Sequence, residues 1–175
     1  PRVNLTLGYV NHSGPGSPGC EPQWLNRGND YSQLKNACYW NYWRVYLPQG
    51  ARLLSNTLLP LPEYSVSADT GRGQPGEDTV QVSSSYNKTV LSGLFALGAG
   101  EANEVHLVYD LPSDLLRRDG DEIRYQMLIQ KQPGIRRRDV TVEFVLPTGY
   151  RLSSSSAAPA ATSDSHVEFT LRVQE

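Results

Sequence analysis

The stretch "NACYWNYWRVYLPQG", Asn36 to Gly50, governs how the rest of the chain is read. Five aromatic residues fall between Tyr39 and Tyr46, in a chain that holds only 3 Trp, 3 Phe and 10 Tyr. Such a run is either a surface that stacks on a ligand or a strand built into a core. In an extended strand, Tyr39, Asn41, Trp43, Val45 and Leu47 share one face, and Trp40, Tyr42, Arg44 and Tyr46 share the other. Rings on both faces suit a central strand better than a flat platform, which would gather them on one side. The expectation is that Trp43, Val45 and Leu47 enter the core. Trp40, Tyr42 and Tyr46 then form a partly covered ladder with Arg44 over a ring, and Pro48-Gln49-Gly50 ends the strand in a turn. A binding role remains open at the strand's start, where Tyr39 and Trp40 stand beside the preceding loop.

Outward from this stretch, a period of two recurs. Val3, Leu5, Leu7 and Tyr9 alternate with polar residues, as do Val105, Leu107 and Tyr109, then Tyr125, Met127 and Ile129, then Val140 to Leu146, then Val167 to Val173. Val105, Leu107, Tyr109, Phe144, Leu146, Phe169 and Leu171 are expected to point inward. Weaker strands are expected at Arg52 to Leu58, Thr79 to Ser84 and Lys88 to Leu97, with a bulge at Ser92-Gly93. Ser113 to Glu122 has room for a helical turn at most, and Ser153 to Ser165 reads as an exposed loop. Many short strands separated by Gly- and Pro-rich turns predict an all-β antiparallel sandwich of immunoglobulin-like type, with a jelly roll as the rival. The length of 175 residues suits a single domain spanning 1–175.

Composition narrows the function classes. An apolar share of 38% and a charged share of 19%, with 15 Gly and 12 Pro, fit a turn-rich β protein and not a disordered chain. A formal charge of −2 supplies no long-range attraction to nucleic acid or to an anionic membrane. No window approaches the ~18 consecutive apolar residues of a membrane span, so this stretch of chain is not expected to insert directly. It opens at Pro1 with a lone Met127, which suggests part of a longer protein whose anchor lies elsewhere. Cys20 and Cys38 flank a loop of Gly, Pro, Asn and Trp. Zinc would need further ligands at closer spacing, so a Cys20 to Cys38 disulfide is the better reading, and it implies an oxidising, extracytoplasmic setting. Two unrelated thiols are the bland alternative.

Each candidate for chemistry has an ordinary reading beside it. His12, His106 and His166 are far apart in sequence and fall in no metal-binding or catalytic pattern. Asp110, Asp114, Asp119, Asp121 and Glu122 lie close together but lack the spacing of a calcium loop, which makes a solvated turn the better reading. Lys131, Arg136, Arg137 and Arg138 could hold an anionic cell-wall polymer, although a charged turn explains them as well. Trp24, Tyr31, Tyr39 and Trp40 lie in or beside one loop and are candidates for stacking on a glycan. Sequons at Asn4, Asn11 and Asn87 matter only in a secretory eukaryote. No nucleophile elbow or phosphate-cradling loop is present, so no catalytic residue, metal or cofactor is nominated.

Three stretches carry a resemblance: "LGYVN" at Leu7 to Asn11, "NYWRVYLPQGARLLS" at Asn41 to Ser55, and "MLIQKQPG" at Met127 to Gly134. With "SGLFALGAGE" and "YDLP" between them, their order resembles the C-terminal region of bacterial surface proteins in the family called domain of unknown function 4012. The Cys20 to Cys38 loop departs from that pattern. The resemblance implies an actinobacterial or chloroflexus-like source, a membrane-anchored parent chain and display outside the cell, with no assigned reaction. The expected function is a non-catalytic extracytoplasmic interaction or structural module of a bacterial surface protein. Its partner would be a cell-wall glycan or another surface protein. A carbohydrate- or cell-wall-polymer-binding module is the first alternative, and a glycan-acting enzyme the second.

Overall fold

The computed structural model describes residues 1–14, 39–57, 80–129 and 138–173. The chain divides into two compact units, Pro1–Arg124 and Tyr125–Glu175. The first contains β1 (Arg2–Val10), β2 (Tyr39–Pro48), β3 (Arg52–Asn56), β4 (Gln81–Ser85), β5 (Lys88–Leu97) and β6 (Ala102–Asp110). A 3₁₀ turn at Ser113–Leu115 and a small hairpin, β7 (Arg117–Asp119) with β8 (Glu122–Arg124), follow. Two three-stranded antiparallel sheets result, in the orders β1-β6-β3 and β2-β5-β4. The second order is B-E-D of an immunoglobulin-type sandwich, and β3 beside β6 supplies C-F; β1 lies where strand G would. The all-β antiparallel sandwich read from the periodicity is the fold found.

One cluster fills the space between the two sheets. Trp43, Leu47, Leu91, Phe95 and Leu97 come from one side and Val105, Leu107 and Tyr109 from the other, with Leu5, Leu7 and Tyr9 packed against them. Tyr9 meets Phe95 edge-on, ring centroids 4.9 Å apart. Burying such large side chains against both sheets is the main source of stability here, roughly 1.5–3 kcal/mol for each fully buried aliphatic or Phe. The alternating burial of β1 follows directly from its alternating sequence.

β2 behaves as its alternation predicts on the inner face and differs in its place in the sheet. Trp43 and Leu47 are buried and Val45 is half-buried. Among the described residues, however, β2 pairs only with β5, so it flanks the sheet and β5 is the central strand. β5 is accordingly buried on both faces, at Val90 and Ser92 as well as at Leu91 and Phe95. The expected bulge at Ser92-Gly93 is absent, because the register runs unbroken through Trp43 opposite Gly93. A Cβ on Gly93 would lie 2.6 Å from Cζ2 of Trp43. Glycine is needed there to seat the indole. The irregularity falls instead in β3, where register shifts between Leu53 and Ser55.

Turn chemistry joins these strands. Gly50 has φ +88°, and the Ala51 amide donates to the Pro48 carbonyl at 3.1 Å, the pattern of a type II turn and the one expected after β2. Tyr86 and Asn87 both have positive φ, 51° and 55°, which is the two-residue type I′ link between β4 and β5.

The second unit is a three-stranded sheet of β9 (Arg138–Val145), β10 (Ala161–Thr162) and β11 (His166–Val173), in the order β10-β11-β9. Phe144 lies edge-on to both Phe169 and Tyr125, at 5.8 and 5.9 Å. Phe169 is buried as expected, whereas Phe144, Leu146 and Leu171 are only half-buried. Tyr125 to Ile129 is not a strand. Its alternation survives in half-buried Tyr125 and Ile129, but no described strand offers it a ladder. The serine- and alanine-rich segment 153–165 is mostly open chain, and β10 ties its end to β11.

Candidate functional site

The outer face of the β2-β5-β4 sheet is built by the residues that alternate away from the core. Tyr42, Arg44 and Tyr46 project from β2, and Gln81, Ser83 and Ser85 from β4. Between them, Val90 and Ser92 of β5 form the floor of a shallow, open groove of about 270 Å³. Pairing sets the rows: Arg44, Ser92 and Gln81 stand side by side, and Tyr46, Val90 and Ser83 form the next row. Tyr46 follows Tyr42 by four positions, so the two side chains are rooted about 13 Å apart along the strand. They are 48% and 50% exposed, against 6% for Trp43 on the opposite face of the same strand. One strand thus supplies both a core and an open aromatic surface.

Arg44 is the charge of this face. Its guanidinium carbon lies 5.1 Å from the centre of the Tyr42 ring, and its Nε donates to the Tyr42 hydroxyl at 3.3 Å. The expected Arg44-over-ring contact is therefore present. The phenol of Tyr42, and after it that of Tyr46, raises the Arg44 pKa above its ordinary value. Since a guanidinium is charged in any case, the consequence is positional: the fork is held against the Tyr42 ring. No carboxylate pairs with Arg44 among the described residues. Indeed β2, β4 and β5 contain no Asp or Glu, while Lys88 shares the outer side of β5 with Val90 and Ser92.

The residues singled out from sequence distribute differently. Tyr39 is exposed on the inner-side parity of β2 and donates its hydroxyl to Asn41 at 3.3 Å, while half-buried Trp40 has the opposite parity. The two are neighbours in sequence and do not form one platform. Cys20, Cys38, Trp24, Tyr31, Lys131, Arg136 and Arg137 lie outside the described residues, and Arg138 is the first residue of β9. The acidic run Asp119 to Glu122 is the exposed tip of the β7-β8 hairpin, with Gly120 at φ +58°. No cluster of three metal-ligating side chains occurs among the described residues.

Two rows of hydroxyl, imidazole and carboxylate do form. Thr6 Oγ1 lies 3.0 Å from His106 Nδ1, whose Nε2 is 3.4 Å from Glu104. Ser165 Oγ lies 2.7 Å from His166 Nδ1, with Glu143 3.6 Å from the Nε2. Both rows are exposed, and the first lies on the outer side of the β1-β6-β3 sheet. Asn11, read as a sequon, is buried: its Nδ2 donates to the Leu97 carbonyl at 3.1 Å and its Oδ1 accepts from the Ser13 amide. It fastens the end of β1, whereas Asn4 and Asn87 are exposed.

No family model matches the chain, and no match is found among curated proteins or solved structures. The likeness to the domain of unknown function 4012 family rests on its motifs alone. Two of those motifs, "NYWRVYLPQG" and "SGLFALG", are β2 with its turn and the second half of β5 with the residue after it. They supply Trp43, Leu47, Phe95 and Leu97 to the core and one wall of the groove.

Proposed function

We propose that the chain is a non-catalytic, extracytoplasmic interaction module of a bacterial surface protein, and that it makes its contact through the outer face of β2-β5-β4. The observation that carries this reading is a pair of half-exposed tyrosines, one of them under a guanidinium that has no carboxylate partner among the described residues, beside a row of Ser and Gln side chains. Aromatic residues and Arg are enriched at recognition surfaces, the rings because they offer large contact area with few torsions to freeze and Arg because it presents a planar fork of donors. The groove is lined by hydroxyls, an amide, phenols and a guanidinium, with no carboxylate, imidazole or thiol among the described residues. That is equipment for holding a polar ligand, without a general acid–base pair. The cysteine pair and the motif resemblance support placement outside the cytoplasm.

Co-sedimentation with purified bacterial cell walls tests the reading. The 175-residue chain should pellet with them, and the Tyr42→Ala/Tyr46→Ala double variant, with its melting temperature checked, should stay in the supernatant. Wild-type protein that stays in solution, or a double variant that pellets equally, would overturn it.

A further inference from the structure

The proposed contact face has a charge pattern that specifies its ligand further. In a chain with 18 acidic residues and a net charge of −2, the three strands of this sheet carry Arg44 and Lys88 and no acid. The other sheet of the same unit is arranged oppositely. There Arg2 and Arg52 both bind Asp110, at 3.0 and 3.5 Å, and His106 faces Glu104. Charges on that face are neutralised internally, whereas the positive charge beside the groove meets no carboxylate among the described residues.

We infer, on the basis of the interaction-module reading, that the ligand is an anionic polysaccharide whose acid group is taken by Arg44 while sugar rings rest on Tyr42 and Tyr46. Three features select this class. A guanidinium offers a planar fork of donors that matches carboxylate or phosphodiester oxygens two at a time. The two tyrosines, rooted about 13 Å apart on one strand, match a chain longer than a single sugar. They present apolar faces suited to the C–H side of a pyranose, and Ser83, Ser85 and Gln81 along the far wall match its hydroxyls. A peptide adding itself to the β4 edge would instead use backbone groups and leave Arg44 unengaged. The groove is open and lies along the strands, so a long polymer can cross it without a chain end.

Affinity electrophoresis of the intact chain tests this with three probes: polygalacturonate, its fully methyl-esterified form, and a poly(glycerol phosphate). The expected result is retardation by polygalacturonate, weaker binding, by about tenfold or more, to its ester, and weaker binding also to poly(glycerol phosphate), which has the acid but no sugar ring. Arg44→Gln should remove the preference for acid, and Arg44→Lys should restore it only in part, because an ammonium keeps the charge and loses the fork. Gln81→Glu is the second arm. It is nearly isosteric and lies in the row of Arg44 and Ser92, about 10 Å across the sheet from Arg44, within reach of two long side chains. It should abolish binding with Arg44 still present. Equal binding of polygalacturonate and its ester, binding unaffected by both Arg44→Gln and Gln81→Glu, or no binding to polygalacturonate would overturn the inference. Loss of acid selectivity alongside intact, Tyr42- and Tyr46-dependent pelleting with cell walls would leave the module reading standing and remove only the acid.

Discussion

The two sheets of the first unit share a core and differ on their outer faces. The outer face of β1-β6-β3 is self-contained: Asp110 joins Arg2 and Arg52, Thr6 meets His106, and His106 faces Glu104. The outer face of β2-β5-β4 carries half-exposed rings, a guanidinium and small polar groups, with no acid. Exposed ion pairs add little to stability, so the first pattern mainly keeps a surface solvated and unattractive to partners. In the second, two large aromatic side chains stay half in water at a position where polar residues would do for folding. One face is neutralised by its own ion pairs, and the other carries no carboxylate on its strands.

This contrast breaks first at its hinge, β2. Trp43 and Tyr46 lie three residues apart on opposite faces. Trp43→Ala is expected to cost ~3–5 kcal/mol, a large part of a typical domain's stability, whereas Tyr46→Ala should cost no more than about 1 kcal/mol. Urea denaturation of both variants checks the ratio. Comparable losses would mean that the two faces are not divided as described.

Gly93 sharpens the same point. Gly93→Ala should destabilise by ~1–3 kcal/mol, since the added carbon meets the Trp43 indole. A Trp43→Leu background should relieve much of that cost. A double-mutant cycle reads the coupling, and full additivity would show that the glycine serves some other end.

The ion-paired face should be revealed by acid. Hydrogen bonding from Arg2, foremost, holds the Asp110 carboxyl below its ordinary value of 3.8. A carboxyl depressed in the folded state binds fewer protons there than in the unfolded chain. Its stabilisation is therefore complete above 3.8 and lost as pH falls through the lower folded value. Asp110→Asn should lower the melting temperature slightly at neutral pH, and the difference from wild type should close in strong acid. The acid-free sheet offers no counterpart: Arg44→Gln should leave the acid dependence of melting unchanged.

Much of this could be read from the chain, for identifiable reasons. Alternation is a local property, so β1, β6 and the two faces of β2 were evident from residue order, as was the turn at Gly50. The groove was harder to see. Its far wall, Gln81 to Ser85, contains a single apolar residue and reads only as a weak strand, and it meets Tyr42 and Arg44 solely through pairing across β5. The usable signal was charge: three separate strand segments without Asp or Glu in an acidic chain. Gly93 misled because a glycine that seats an indole and a glycine that marks a bulge look alike until the register is known. Tyr125 to Ile129 misled because alternation describes how a strand would be covered and not whether it has a neighbour.

Nuclear magnetic resonance mapping of the labelled chain during titration with polygalacturonate oligomers tests the division of faces most directly. The account predicts that amide and side-chain shifts concentrate on Tyr42, Arg44, Tyr46, Ser92, Gln81 and Ser83, while Arg2, Thr6, His106 and Asp110 stay still. Shifts that gather on the β1-β6-β3 face, or that spread evenly over both sheets, would contradict it.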